Sequence, residues 1–81
     1  MQNKKELLKA LELDRNGDWD GAHETVQVFS NLEACWIHAY LHRKEGDKGN
    51  AQYWYNRANK KMPKASLDEE REEIQDHLDG L

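Results

Sequence analysis

The sequence predicts an all-α fold of about five helices: two tandem helix–turn–helix units followed by a C-terminal capping helix. Three observations point there. Apolar residues recur at three- and four-residue steps, and no strand-like alternation of apolar and polar residues appears. In addition, Gly17-Asp18-Trp19-Asp20-Gly21-Ala22 returns 29 residues later as Gly46-Asp47-Lys48-Gly49-Asn50-Ala51. A turn phrase repeated at a period of roughly 20–50 residues is the mark of stacked supersecondary units.

The first helix is expected over about residues 3–15, where Leu7, Leu8 and Leu11 with flanking Ala10 form one stripe. Asn16-Gly17 ends it, because glycine accepts the left-handed conformation with which helices commonly stop. Asp18 suits the N-cap of a second helix that carries Trp19, Ala22, Val26 and Phe29 along one side. Ser30 and Glu33 have the spacing of a capping box, with Asn31 a competing cap. The third helix then covers about residues 32–44, and Gly46 closes it. Asp47 caps a fourth helix over about residues 49–60. Pro63, the only proline, cannot continue a helix and sets a boundary. Ser66 and Glu69 form a second capping box, opening a fifth helix to about residue 78. Its acidic first turn (Asp68, Glu69, Glu70) suits the positive end of the helix dipole. Leu67, Ile74 and Leu78 give it one thin apolar stripe, as the terminal cap of a stack requires. The whole is one domain: residues 3–30, 31–64 and a cap at 66–79.

Bulk properties narrow the function. With 81 residues, 37% hydrophobic and 35% charged, the core must lean on a few aromatic side chains. A core this thin can also be completed by a partner surface or a second copy of the chain. Residues 1–13 mix Lys and Glu with Leu, so neither a secretory leader nor a membrane span is expected. The single Cys35 excludes an internal disulfide and fits a reducing, cytoplasmic setting. The net charge of −4 is segregated: −3 over residues 1–33, +5 over 34–65 and −6 over 66–81. A basic middle is the footprint of nucleic-acid binding, but the acidic end offers an internal counter-charge that argues against it.

Residues 31–64 resemble a tetratricopeptide repeat. The match is carried by Trp36 and Ala39, then Gly46 at the turn, then Ala51, Tyr55, Ala58 and Pro63. Leu7, Ala10, Gly17, Ala22 and Val26 lie 29 residues before Trp36, Ala39, Gly46, Ala51 and Tyr55, forming a fainter first unit. The period of 29 is shorter than the family's, and the family's Leu-Gly pair is absent. The resemblance implies that the first helix of each pair lines a concave surface, which would hold Trp36, Tyr40 and Arg43 beside Leu7, Leu11 and Asp14. The run 39–47 with 50–58 is also similar to a group of short bacterial proteins without an assigned activity. That likeness implies a stand-alone cytoplasmic domain and adds no chemistry.

Two sets of residues suggest binding. Trp36, Tyr40 and Arg43 share a helix face with the composition of an interaction hot spot, or else they supply the core. Tyr53-Trp54-Tyr55 cannot all point inward, since successive helical positions lie about 100° apart. One aromatic is therefore expected beside Arg57, Lys60 and Lys61, as an exposed patch or under cover of the fifth helix. Cys35, His38 and His42 share the neighbouring face at a spacing that can hold a transition metal, with His23 as a fourth donor. Their alternative is ordinary inter-helix packing. No nucleophile elbow, phosphate loop or metalloprotease motif occurs, and Ser30 and Ser66 are accounted for as caps. The expectation is a non-enzymatic protein or peptide interaction module or self-associating scaffold, without a cofactor. The alternative is a metal or small-ligand binder using Cys35, His38 and His42.

Overall fold

A computed structural model of the chain describes residues 3–81. Of the 1–13 stretch, residues 1 and 2 lie outside the described part. Five helices follow one another: α1 (Lys4–Arg15), α2 (Trp19–Gln27), α3 (Leu32–Glu45), α4 (Lys48–Arg57) and α5 (Leu67–Asp79). The fold is all-α, with no strand among the described residues, and no helix is long and apolar enough to cross a membrane.

The turns after α1 and α3 have the same construction. Gly17 at φ +87° and Gly46 at φ +90° take the left-handed conformation that a side chain would strain. Beyond each glycine an Asp amide donates back into the helix, Asp18 to the Leu13 carbonyl at 2.8 Å and Asp47 to the His42 carbonyl at 2.9 Å. The same two Asp side chains then cap the next helices, accepting from the Gly21 and Asn50 amides. Ser66 and Glu69 form the expected reciprocal capping box at the start of α5.

Helix α3 begins where expected but on the competing cap, and the end of α4 differs from the expectation. Asn31 rather than Ser30 is the N-cap of α3, because Glu33 is engaged elsewhere: its carboxylate meets Asn31 Nδ2 and His77 of α5. Helix α4 stops at Arg57 instead of about residue 60. Asn59 adopts φ +62° there, and the Lys60 amide turns back to the Tyr55 carbonyl. Asparagine tolerates this conformation better than most residues, so it acts as the stop that a glycine provides elsewhere.

Helix α3 packs against all four other helices. Every residue from Ala34 to His42 is buried, two and a half turns without a solvent face. Two carboxylates fix neighbouring helices against it. Glu70 of α5 is fully buried, and its oxygens accept from Trp36 Nε1 (3.1 Å), Tyr55 Oη (2.6 Å) and Arg43 Nη1 (2.8 Å). Asp14 of α1, also buried, accepts from Tyr40 Oη (2.8 Å) and Lys44 Nζ (2.9 Å). Burial, reinforced by these carboxylates, pushes both tyrosine hydroxyls well above their ordinary value, so both remain protonated donors. Of the charge cover expected between the acidic end and the basic middle, Arg43–Glu70 is the ion pair formed among the described residues.

Removing the Glu70 carboxylate would leave three donors buried without an acceptor. Glu70→Ala is expected to lower unfolding free energy by about 3–5 kcal/mol in urea titrations. The exposed neighbour Glu72→Ala should change it by no more than about 0.5 kcal/mol. A loss below about 1 kcal/mol for Glu70→Ala would mean that its partners find other acceptors.

Candidate functional site: two faces of the central helix

The face of α3 carrying Trp36, Tyr40 and Arg43 is not an open concave surface. Trp36 is 5% exposed and Tyr40 1% exposed, and the polar atoms of all three are taken by the rest of the chain. Arg43 also donates through Nη2 to the Ala65 carbonyl, tying down the segment before α5. Lys60 Nζ lies over the face of the Trp36 ring, 4.0 Å from its centroid. The groove expected by resemblance to tetratricopeptide repeats is filled by α5, with α1 closing its other side.

The opposite face of α3 meets α2 and α4 in a different chemistry. Helix α2 runs back along α3, so that residues 19, 23 and 30 fall opposite 41, 38 and 35. His23 from α2 and His38 and His42 from α3 form a triangle, with ring centroids 4.6, 5.1 and 5.0 Å apart. Two tryptophans wall it. Trp19 stacks on His23 at 4.9 Å and is pinned by its indole N–H to the Leu41 carbonyl at 2.7 Å. Trp54 of α4 stacks on His38 at 3.8 Å and 12° between planes. The outer side of Trp54 carries the Arg57 guanidinium, 4.9 Å from the ring centroid.

Within the triangle the histidines are unequally provided for. His42 Nδ1 lies 2.7 Å from Glu45 Oε1. His38 Nδ1 is buried and has no hydrogen-bond partner among the described residues. An unpaired buried nitrogen of this kind costs about 1–3 kcal/mol. Burial first, then the positive fields of His23, His42 and Arg57, pushes the His38 imidazole down to about 4. His23 is lowered as well, chiefly by burial and then by His42, with Glu45, Asp20 and Glu24 opposing.

Cys35 does not join this triangle. It lies one turn earlier on α3, against the end of α2, with its Sγ 3.7 Å from the Ser30 carbonyl. Burial pushes its thiol up, which suits a small apolar packing residue rather than a thiolate. Of the expected Cys35/His38/His42 set with His23 as a fourth donor, the packing therefore brings the three histidines together and leaves out the cysteine.

Tyr53, Trp54 and Arg57 do come together on the outer side of α4. Tyr53 is 53% exposed, stands at right angles to Trp54 with centroids 5.2 Å apart, and accepts a 3.3 Å hydrogen bond from Arg57. Trp54 is half-buried between His38 and Arg57, while Tyr55, as expected, points into the core.

Three participants were not singled out from the sequence. Glu70 occupies the position between Leu67 and Ile74 on the apolar stripe of α5, and a charged residue in such a stripe is itself a sign of a buried partner. Trp19 has the spacing of a packing residue, and Glu45 carries no sequence signal at all. Comparisons with protein-family models, with curated proteins and with solved structures each returned no match.

The depressed His38 value sets a pH dependence. The unfolded chain takes up this proton near 6.5, the folded chain only near 4. Between these values the unfolded state binds more protons, so stability is complete above about pH 6.5 and falls as pH drops toward about 4. The slope is up to about 1.4 kcal/mol per pH unit. Urea titrations in EDTA at about pH 7 and about pH 5 should show wild type losing about 2 kcal/mol more than His38→Gln. Equal losses would show that His38 does not carry this proton linkage.

Proposed function

We propose that this chain is a non-enzymatic, tetratricopeptide-like interaction module that holds a protein or peptide on the outer face of α4. The single observation carrying the reading is the Tyr53/Trp54/Arg57 cluster, where an exposed tyrosine is held in one arrangement by its two neighbours. Tyr, Trp and Arg are the residue types that dominate interface energetics, and a preordered cluster loses little side-chain freedom on binding. The repeat character rests on the matched turns at Gly17 and Gly46, with Ala22 and Ala51 fully buried at corresponding positions of α2 and α4. Small residues at those positions let paired helices approach closely. The face proposed here differs from the concave one of the tetratricopeptide pattern, because α5 occupies the latter.

The positive balance of residues 34–65 favours an acidic partner segment beside Arg57. A second copy of the chain is the other partner this surface would serve, its own acidic α5 supplying the charge.

The double variant Tyr53→Ala/Arg57→Ala tests the reading, since both side chains are exposed and the fold should keep its thermal midpoint. A partner cross-linked by wild type should bind the variant about tenfold more weakly or worse. Should that partner be another copy of the chain, sedimentation would show wild type dimerising and the variant monomeric. A partner retained unchanged by the variant, or a wild type that is strictly monomeric and cross-links nothing, contradicts the proposal.

A further inference from the structure

The histidine triangle shares Trp54 with the α4 surface but has a chemistry that peptide binding does not use. Candidate donor nitrogens of His23, His38 and His42 lie within 4.8 Å of one another. The His38 imidazole is 4% exposed, yet its Nδ1 meets no donor or acceptor among the described residues. A buried ring nitrogen left without a partner, beside two further imidazoles, is the arrangement expected of a ligand-receiving position rather than of packing.

We propose that His23, His38 and His42 bind one divalent first-row transition ion of the zinc class. Imidazole nitrogen suits zinc, copper and nickel and does not suit magnesium or calcium, which prefer oxygen. His38 and His42 stand four residues apart on one rigid helix, and Trp54 stacking holds the His38 ring in place. The Glu45 carboxylate beside His42 Nδ1 orients that ring and leaves Nε2 for the ion. Asp20, Glu24 and Glu45 place negative charge around His23, while Arg57 opposes a cation from the side of His38.

Tetrahedral bonds of about 2.0–2.1 Å require the nitrogens, within 4.8 Å of one another, to draw together by up to about 1.5 Å. His23, half-buried on the short helix α2 and stacked on Trp19, is the most exposed of the three residues. Three protein nitrogens leave a fourth position for water or an outside ligand, reached past His23. A second grouping, His42 with Glu45 and Asp47, is less suited: Glu45 already meets His42, and Asp47 caps α4 through the Asn50 amide and side chain.

The test uses full-length protein free of any tag, stripped with EDTA and titrated with zinc chloride by calorimetry, with cobalt chloride as a spectroscopic probe. One equivalent of zinc should bind and raise the thermal midpoint by several degrees. Cobalt should give visible bands of a four- or five-coordinate nitrogen site. His23→Ala should weaken zinc binding at least tenfold, and Glu45→Gln, at an exposed position, about tenfold. His77→Ala on α5 should leave it unchanged. Absence of stoichiometric zinc binding overturns the proposal, and so does zinc affinity that survives His23→Ala.

Discussion

Glu70 sits where a small helical domain can least tolerate an unpartnered charge, and the structure is arranged around satisfying it. Trp36 and Arg43 reach it from α3 and Tyr55 from α4, while the carboxylate itself comes from α5. Taking a carboxylate out of water is expensive, and the cost is offset only when its acceptor positions are filled in good geometry. Three donors from two helices meet that requirement in the observed register of α5. Apolar contact through Leu67, Ile74 and Leu78 supplies attraction, but such contact slides easily. The Glu70 cluster makes the position of α5 specific. Asp14 does the same for α1 through Tyr40 and Lys44.

These two carboxylates divide α3 into unlike halves. Toward α1 and α5 its polar side chains are neutralised by hydrogen bonds and ion pairs. Toward α2 and α4 the contacts are ring on ring, and His38 meets neighbouring positive charge instead of a counter-charge. On the first half, the Trp36, Tyr40 and Arg43 side chains of α3 each have a carboxylate partner. The second half retains an unpaired ring nitrogen, a half-buried histidine and, one layer out, an exposed tyrosine–tryptophan–arginine cluster. The unpaired ring nitrogen and the exposed aromatic cluster therefore lie on the α2/α4 side, while the two buried carboxylates come from α1 and α5.

Much of this was legible in the chain wherever the cause is local. Gly17 and Gly46 with their following Asp caps, and the Ser66/Glu69 box, depend on residues three or four apart, and each takes the expected form. Ser30 and Glu33 have the same spacing, yet Glu33 is drawn off by His77, 44 residues away, and no local pattern announces that. The aromatic face of α3 illustrates the same limit. Trp36, Tyr40 and Arg43 have the composition of either a core or a binding surface, and the choice is made by where α5 docks. The sign available in the sequence was Glu70 itself, a carboxylate placed within an apolar stripe. Cys35 was grouped with His38 and His42 by helical spacing alone. The direction of α2 past α3 decides that His23, and not Cys35, meets them.

If Glu70 locks α5 onto α3, the last helix cannot open separately from the core. Amide hydrogen exchange on the intact protein measures this directly. The α5 amides from Ile74 to Leu78, and the Trp36 indole N–H, should exchange with the same opening free energy as the amides of Ala39 and Tyr40. Exchange in α5 and at the indole that is faster by orders of magnitude, while α3 remains protected, would contradict the central role given to the buried carboxylate.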